Sequence, residues 1–299
     1  MDRPPDPSGV AKPGTAKRVG WALLAVTIFA ALVTAGLFYA TGGRWFIVQT
    51  PSMGEYAPVG TLVVSTAVGV DGLRVGESIL FHPPTAPGET YFHRIVALTD
   101  GTIRTKGDIN GTTDPWTLQA TDLIGRETAH LVGLGWLIQA LPLLLIGGLI
   151  LHALTRYYAI AYLRFPVRVL GWSMLVSLAC YLIKPLVRAV QLTQNIADGT
   201  ASTTLVPTGL LTLHAHAIGG SSMDLRPGQP GTVHAAVASG PGSFGIDLAP
   251  HLTPATWALL ITLWLIPLAL CTAYALHHTV TAQKPGTRAH RHGAPTMSE

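Results

Sequence analysis

The chain is poor in charged residues and in cysteine, and both shortages restrict its class. Only 11% of its 299 residues are charged and 48% are hydrophobic, whereas charged residues make up roughly a quarter of a soluble domain. The two cysteines, Cys180 and Cys271, lie inside apolar segments. A disulfide framework is therefore excluded, and we interpret both cysteines as small hydrophobic residues. These features favour a membrane protein.

Motifs that would indicate several other functions are also missing. The sequence has no internal repeat, no phosphate-binding glycine loop and no zinc-finger spacing. The formal net charge is +4, but the basic residues do not form the stripe that binds nucleic acid. We therefore expect no cofactor, no metal and no nucleic-acid partner.

Four apolar segments are long enough to cross a bilayer, which takes about 20 helical residues. The predicted spans are residues 21–40, 131–154, 169–183 and 254–276. The third is short, but basic residues at both ends can reach the interface with their long side chains. The first is interpreted as a retained anchor, because it is long for a cleaved signal peptide and has no clear small-residue cleavage site.

Lysine and arginine predict the orientation of these spans. The tails 1–20 and 277–299, together with the loop 155–168, hold ten of the 19 basic residues, although they are short. The side rich in positive charge is cytoplasmic, so both termini are predicted inside. Residues 41–130 and 184–253 are then outside. Both tails are rich in proline, glycine and threonine and are predicted to be disordered.

The first outer segment has the pattern of β-strands. Polar residues alternate with β-branched and aromatic residues in several short stretches, with turn-forming residues between them. These stretches are residues 61–67, 77–83, 90–98, 102–107 and 122–131. They predict a helix-free domain built from an antiparallel sheet or a partly closed barrel.

The same segment contains the residue types of nucleophilic catalysis. A serine hydroxyl becomes a good nucleophile when a base, usually histidine, takes its proton and an acid orients that histidine. Ser52, His93, Asp108 and Asp114 provide these groups. Residue types alone are weak evidence, because most segments of this length contain such a set.

The local strings are more specific, and together they closely resemble signal peptidase I. In order, they are "SM" at Ser52, then "PVG" and "LVV", "VGESILF", "YFHRIVAL", "TKGDINGTTDPW" and "DLIGR". The resemblance covers residues 45–130. His93 stands where the better-known bacterial type has a lysine base. This exchange, with the spacing of the two aspartates, resembles the archaeal and endoplasmic-reticulum type, which Gram-positive bacteria also possess.

The resemblance implies a role for each candidate residue. Ser52 would be the nucleophile and His93 the general base, while the Thr50 hydroxyl and the Ser52 amide would form the oxyanion hole. Asp114 would orient the imidazole, because the proline after it favours an extended conformation that projects its side chain from the turn. Asp108 would be a structural or second acid that fixes the loop by accepting backbone N–H bonds.

The nucleophile string departs from the family pattern. Where the family has "SGSMEPT", this chain has "TPSMGEY", so Pro51 replaces a glycine and residues 54–56 replace Glu-Pro-Thr. Because proline fixes φ, we expect the loop before the serine to differ. Met53 is expected to dip into the membrane interface.

The second outer segment, residues 184–253, resembles no family that we can name. Its alternation predicts a small β-sandwich, which is also a candidate for docking a protein partner. His214, His216 and His234 could bind a metal, since "HAH" places two imidazoles on one strand face. The alternative is a solvated polar face, and we favour it.

The sequence therefore predicts a polytopic membrane serine endopeptidase. It would cleave signal peptides from exported precursors at the outer membrane surface, with those precursors and the lipid bilayer as its partners. One alternative is a dedicated peptidase for one or a few co-encoded exported proteins. Another is a non-catalytic membrane-anchored assembly or binding protein on a peptidase scaffold.

Overall fold

The computed structural model describes residues 15–197, 199–236 and 245–282. The chain divides into two compact units, one that ends at Gly135 and one that begins at Trp136.

Four helices are long and apolar enough to cross a membrane, as predicted. Their apolar side chains are mostly exposed, which suits contact with lipid. The helices are α1 (Thr15–Ala40), α2 (Leu134–Tyr157), α3 (Arg164–Ile183) and α4 (Pro254–Ala282). Residues 15–20 and 277–282, which were assigned to tails, are thus helical. The remaining tail predictions concern residues 1–14 and 283–299, outside the described residues.

Helix α3 begins five residues earlier than the hydropathy pattern predicts. Arg164 starts it, and the Arg164 Nε donates to the Ala159 carbonyl at 3.2 Å. Pro166 lies in the first turn, where its missing N–H removes no helical hydrogen bond. The predicted loop 155–168 is correspondingly shorter.

The first unit contains one six-stranded antiparallel sheet of order β1-β2-β6-β3-β4-β5. Its strands are β1 (Arg44–Ile47), β2 (Leu62–Thr66), β3 (Ser78–Phe81), β4 (Tyr91–Thr99), β5 (Thr102–Lys106) and β6 (Leu123–Leu131). The five predicted strands are confirmed. The sequence pattern did not predict β1, because four residues carry too little alternation to stand out beside an apolar helix.

The sheet has a hydrophobic core on each face. All four residues of β3 are buried, and successive side chains of a strand point to opposite faces. Leu80 packs on one face with Val48, Met53, Ala57, Val63 and Phe92. Ile79 and Phe81 pack on the other face with Leu73, Ile95, Ile103 and Leu118. Met53 is 1% exposed, so the prediction that it reaches the membrane interface is wrong.

Three single-turn 3-10 helices lie in the connections of the first unit, at Pro51–Met53, Val70–Gly72 and Ala120–Asp122. The expectation of a helix-free domain is wrong in this detail. The first of these turns carries Ser52. Proline is favoured at the first position of a helix, because its fixed φ suits the turn and no N–H is needed there.

The second unit contains two three-stranded antiparallel sheets with strand orders β11-β8-β7 and β10-β9-β12. The strands are β7 (Ala189–Ala197), β8 (Thr200–Pro207), β9 (Leu213–Ala217), β10 (Ser222–Leu225), β11 (Gly231–Ala236) and β12 (Ile246–Pro250). Inward side chains from both sheets form one core of Leu205, Ala215, Ala217, Leu225, Val233 and Ala235. Residues 184–253 are therefore β-rich, as predicted.

Candidate active site

Ser52 lies in the 3-10 turn that begins at Pro51. The turn closes through the Gly54 N–H, which donates to the Pro51 carbonyl at 2.8 Å. Gly54 has a φ of +58°, a region that side chains other than glycine adopt with strain. Pro51 and Gly54, two of the departures from the family string, therefore suit the conformation of this turn.

His93, on β4, is joined to Asp114 by a buried contact. The His93 Nδ1 lies 2.7 Å from the Asp114 Oδ2, and each side chain is 6% exposed. A carboxylate only accepts hydrogen bonds, so Nδ1 carries the proton and donates it. The ring nitrogen that remains to act on a serine is Nε2.

Thr105, on β5, holds the carboxylate of this pair. Its Oγ1 donates to the Asp114 Oδ2 at 2.6 Å, and its carbonyl accepts from the Asp114 N–H at 2.9 Å. Thr105 is fully buried. Thr105 was not among the predicted site residues, although the alternation of β5 places its hydroxyl on the same buried face as Ile103.

Aromatic rings enclose the imidazole of His93. The centroids of Phe81 and Tyr91 lie 6.0 and 5.7 Å from it, both edge-on. Trp116 packs against Tyr91 at 5.5 Å. Burial raises the pKa of Tyr91, and the carboxylate of Glu89 adds to this effect. An uncharged phenol therefore lies next to the imidazole and helps to fix its orientation.

Ser52 and His93 line the same cavity, which has a volume of about 590 Å³. Among the described residues no hydrogen bond links these two side chains, and catalytic hydrogen bonds are often long before substrate binds. The Thr50 Oγ1 lies 3.4 Å from the Ser52 Oγ. The other lining residues are Phe46, Val48, Gln49, Glu89, Thr90, Tyr91, Phe92 and Asn110.

Within the described part of the chain, Asp108 is bound to a side chain and not to the backbone N–H groups that we expected. It accepts two hydrogen bonds from Arg94, from Nε at 2.8 Å and from Nη2 at 2.7 Å. These bonds raise the pKa of Arg94. Arg94 follows His93 on β4 and so points to the opposite face. Asp108 thus fixes its loop through Arg94, while Asp114 is the acid on His93.

The loop that carries Asp108 packs on the backbone of the serine. The Ile109 N–H donates to the Ser52 carbonyl at 3.1 Å. At Gly107 an added Cβ would lie 2.8 Å from the same carbonyl oxygen. Glycine is therefore needed where this loop approaches the serine turn.

Comparison of the chain with family models, with curated proteins and with solved structures gave no match. The resemblance to signal peptidase I consequently rests on the sequence strings.

Proposed function

We propose that the chain is a membrane-bound serine endopeptidase of the signal peptidase I type, which cleaves exported precursors at the outer membrane surface. One observation carries the proposal. His93, which is buried and paired with Asp114, lines the same cavity as Ser52, and the strings around these residues have the order of that family.

The proposed reaction is acyl transfer. The Nε2 of His93 takes the proton of Ser52 as its Oγ attacks the scissile carbonyl carbon. The amide of Ser52 and the hydroxyl of Thr50 stabilise the oxyanion. The imidazolium, stabilised by Asp114, then protonates the leaving amine. Water, activated by the same imidazole, hydrolyses the acyl-enzyme and releases Ser52.

An extended peptide suits the walls of the cavity. One wall is formed by Phe46 of the edge strand β1 and by residues 48–50, which follow that strand, and the other by residues 89–93. β5 pairs with β4 from Arg94 onward, so Tyr91–His93 pair only with β3 among the described strands. Backbone edges of this kind accept an added peptide strand through main-chain hydrogen bonds. This favours an endopeptidase whose substrate is extended at the cleavage site.

A short and well-anchored linker joins the serine to α1. Ser52 follows the last residue of that helix, Ala40, by twelve positions. The Arg44 guanidinium lies 4.0 Å from the Tyr39 ring centroid, and Trp45 stacks on Phe38 at 6.0 Å. A nucleophile tethered in this way meets a membrane-threaded signal peptide at high effective concentration.

The decisive experiment is cleavage of a signal-peptide-bearing precursor by the purified full-length protein. Ser52→Ala should reduce kcat by several orders of magnitude while the fold is retained, because the nucleophile is lost. Ser222→Ala, at an exposed serine of β10, is the matched control and should cleave like the wild type. Activity above a few per cent in Ser52→Ala would rule out this serine.

Substrate breadth separates a general signal peptidase from a dedicated one. A panel of unrelated precursors should all be cleaved under the first proposal, whereas a dedicated enzyme would cleave one or a few. A non-catalytic assembly protein would cleave none of them. The intact serine, histidine and aspartate argue against that last alternative.

The proposed orientation places both termini in the cytoplasm and residues 41–130 outside. It is tested with single cysteines introduced after Cys180 and Cys271 have been replaced by alanine. In intact cells a membrane-impermeant thiol reagent should label Asp100→Cys and leave Ala159→Cys unlabelled. The reverse pattern would place the serine inside the cell and overturn the proposal.

A further inference from the structure

The second unit brings two histidines and an aspartate together on the outer face of the sheet β10-β9-β12. His214 on β9 is paired directly with Asp224 on β10. His251 follows β12, and its N–H donates to the Thr212 carbonyl of the β9 side at 2.8 Å. Since Leu213 and Ala215 face the core, the residues between and beside them face outward.

The three side chains converge on a single oxygen atom. The Asp224 Oδ1 lies 2.7 Å from the His214 Nδ1 and 3.3 Å from the His251 Nδ1. All three donor atoms lie within 4.8 Å of one another. A tetrahedral zinc ion with bonds of about 2.0 Å needs donor atoms about 3.3 Å apart. The cluster is therefore near the size of such a site before any ion enters.

This convergence distinguishes the cluster from a solvated polar face, the interpretation that the sequence favoured. One hydrogen bond to His214 already satisfies part of the carboxylate, yet a second imidazole, from the segment after β12, points to the same oxygen. The three side chains are 44–48% exposed, so an ion can enter from solvent. His234, the third histidine in the sequence-based metal hypothesis, lies on β11 in the other sheet.

We propose that His214, Asp224 and His251 bind one Zn²⁺ ion, with water completing the coordination. Two imidazoles and one carboxylate suit zinc and its neighbours in the transition series, whereas magnesium and calcium prefer oxygen ligands alone. The ion would link β9, β10 and the segment after β12. It would also keep a coordination position open to an external ligand, because protein residues supply only three donors.

Zinc binding by the full-length, chelator-treated protein in detergent tests the proposal. Competition with a chromophoric zinc chelator should show one ion per chain. His214→Ala, His251→Ala and Asp224→Asn should each weaken binding at least tenfold, since loss of supporting residues alone costs about 10–100-fold. His234→Ala is the matched control, a histidine of the same unit on the other sheet, and should bind like the wild type.

Two further measurements make the outcome unambiguous. Circular dichroism should show that Asp224→Asn, which preserves the side-chain shape, retains the wild-type fold. The Co²⁺ form should show the visible absorption of a four-coordinate site in the wild type and lose it in the three ligand variants. Wild-type affinity in both histidine variants would overturn the proposal, because other histidines would then hold the ion. Precursor cleavage is a separate readout and does not affect this result.

Discussion

Two histidine–aspartate pairs among the described residues have the same contact distance and different surroundings. In the first unit His93 and Asp114 lie 2.7 Å apart with 6% of each side chain exposed. In the second unit His214 and Asp224 also lie 2.7 Å apart, with 44% and 46% exposed. The contact is the same, so the environment must account for any difference in chemistry.

Burial gives the first pair a fixed geometry. Thr105 holds its carboxylate, and two aromatic rings border its imidazole. Little water is present to screen the charge, so the carboxylate stabilises a developing imidazolium effectively. At the exposed pair water screens the interaction, and a contact of this kind contributes little to stability. Its imidazole can exchange that hydrogen bond for a bond to an ion, whereas breaking the contact of the buried pair would leave polar groups without water to bind.

Asp114→Asn should cause the largest loss of activity and tests the contrast between the two pairs most directly. The amide cannot hold His93 in the required tautomer, so kcat for precursor cleavage should fall by about 10⁴-fold. The fold should be retained, because asparagine has the same shape and the Thr105 hydroxyl can accept from the amide nitrogen that replaces Oδ2. Zinc affinity, which depends on the exposed pair, should not change. Both quantities are measured on one purified preparation.

Asp71→Asn is the control for this substitution, since Asp71 is an exposed aspartate in a 3-10 turn of the same unit. Its activity should equal that of the wild type. Near-wild-type kcat in Asp114→Asn would show that burial of the pair has no catalytic consequence, and the contrast between the two pairs would then be lost.

Sequence patterns were sufficient to predict helices and strands, because these elements depend mainly on residues close together in the chain. Hydropathy located all four long helices, and alternation located five of the six strands of the first sheet. Helix α3 was predicted to begin at residue 169 but begins at Arg164, because side-chain and proline effects at a helix start are invisible to hydropathy. The burial of Met53 was also missed, since a short string does not show which way its 3-10 turn faces.

The candidate site was harder to predict from the sequence than the helices and strands, because pairing across strands depends on register. The strings identified Ser52, His93 and Asp114, which the structure brings to one region. They did not identify Thr105 or the partner of Asp108, both of which are set by how β4 and β5 align. In the second unit "HAH" was visible, whereas the carboxylate beside it came from a different strand.

Gly107→Ala should cause the second largest loss of activity, and it should affect only the site that contains Ser52 and His93. Its Cβ would lie 2.8 Å from the Ser52 carbonyl oxygen, so the loop or the serine turn must shift. A displacement near 1 Å at a catalytic group costs about 10²-fold in rate. Precursor cleavage should fall by that order, and zinc affinity should stay unchanged.

Gly111→Ala provides the matched control in the same loop, because an added Cβ meets nothing within 4 Å there. It should cleave at the wild-type rate. Equal losses in both glycine variants would mean that the loop tolerates no side chain in general, and that the approach to Ser52 has no special role.

The smallest effect is expected for Asp108→Asn, which weakens the ion pair with Arg94. The two side chains are 29% and 26% exposed, so water screens much of their attraction, and the free energy of unfolding should fall by about 1 kcal/mol. Activity should fall severalfold in parallel, because the loop that Arg94 anchors also binds the Ser52 carbonyl through Ile109.

Asp100→Asn is the control, since Asp100 has a φ of +48° that asparagine tolerates equally well. Chemical denaturation and precursor cleavage measure the two quantities. If Asp108→Asn lost kcat by orders of magnitude at full stability, Asp108 and not Asp114 would have to be the acid that acts on His93.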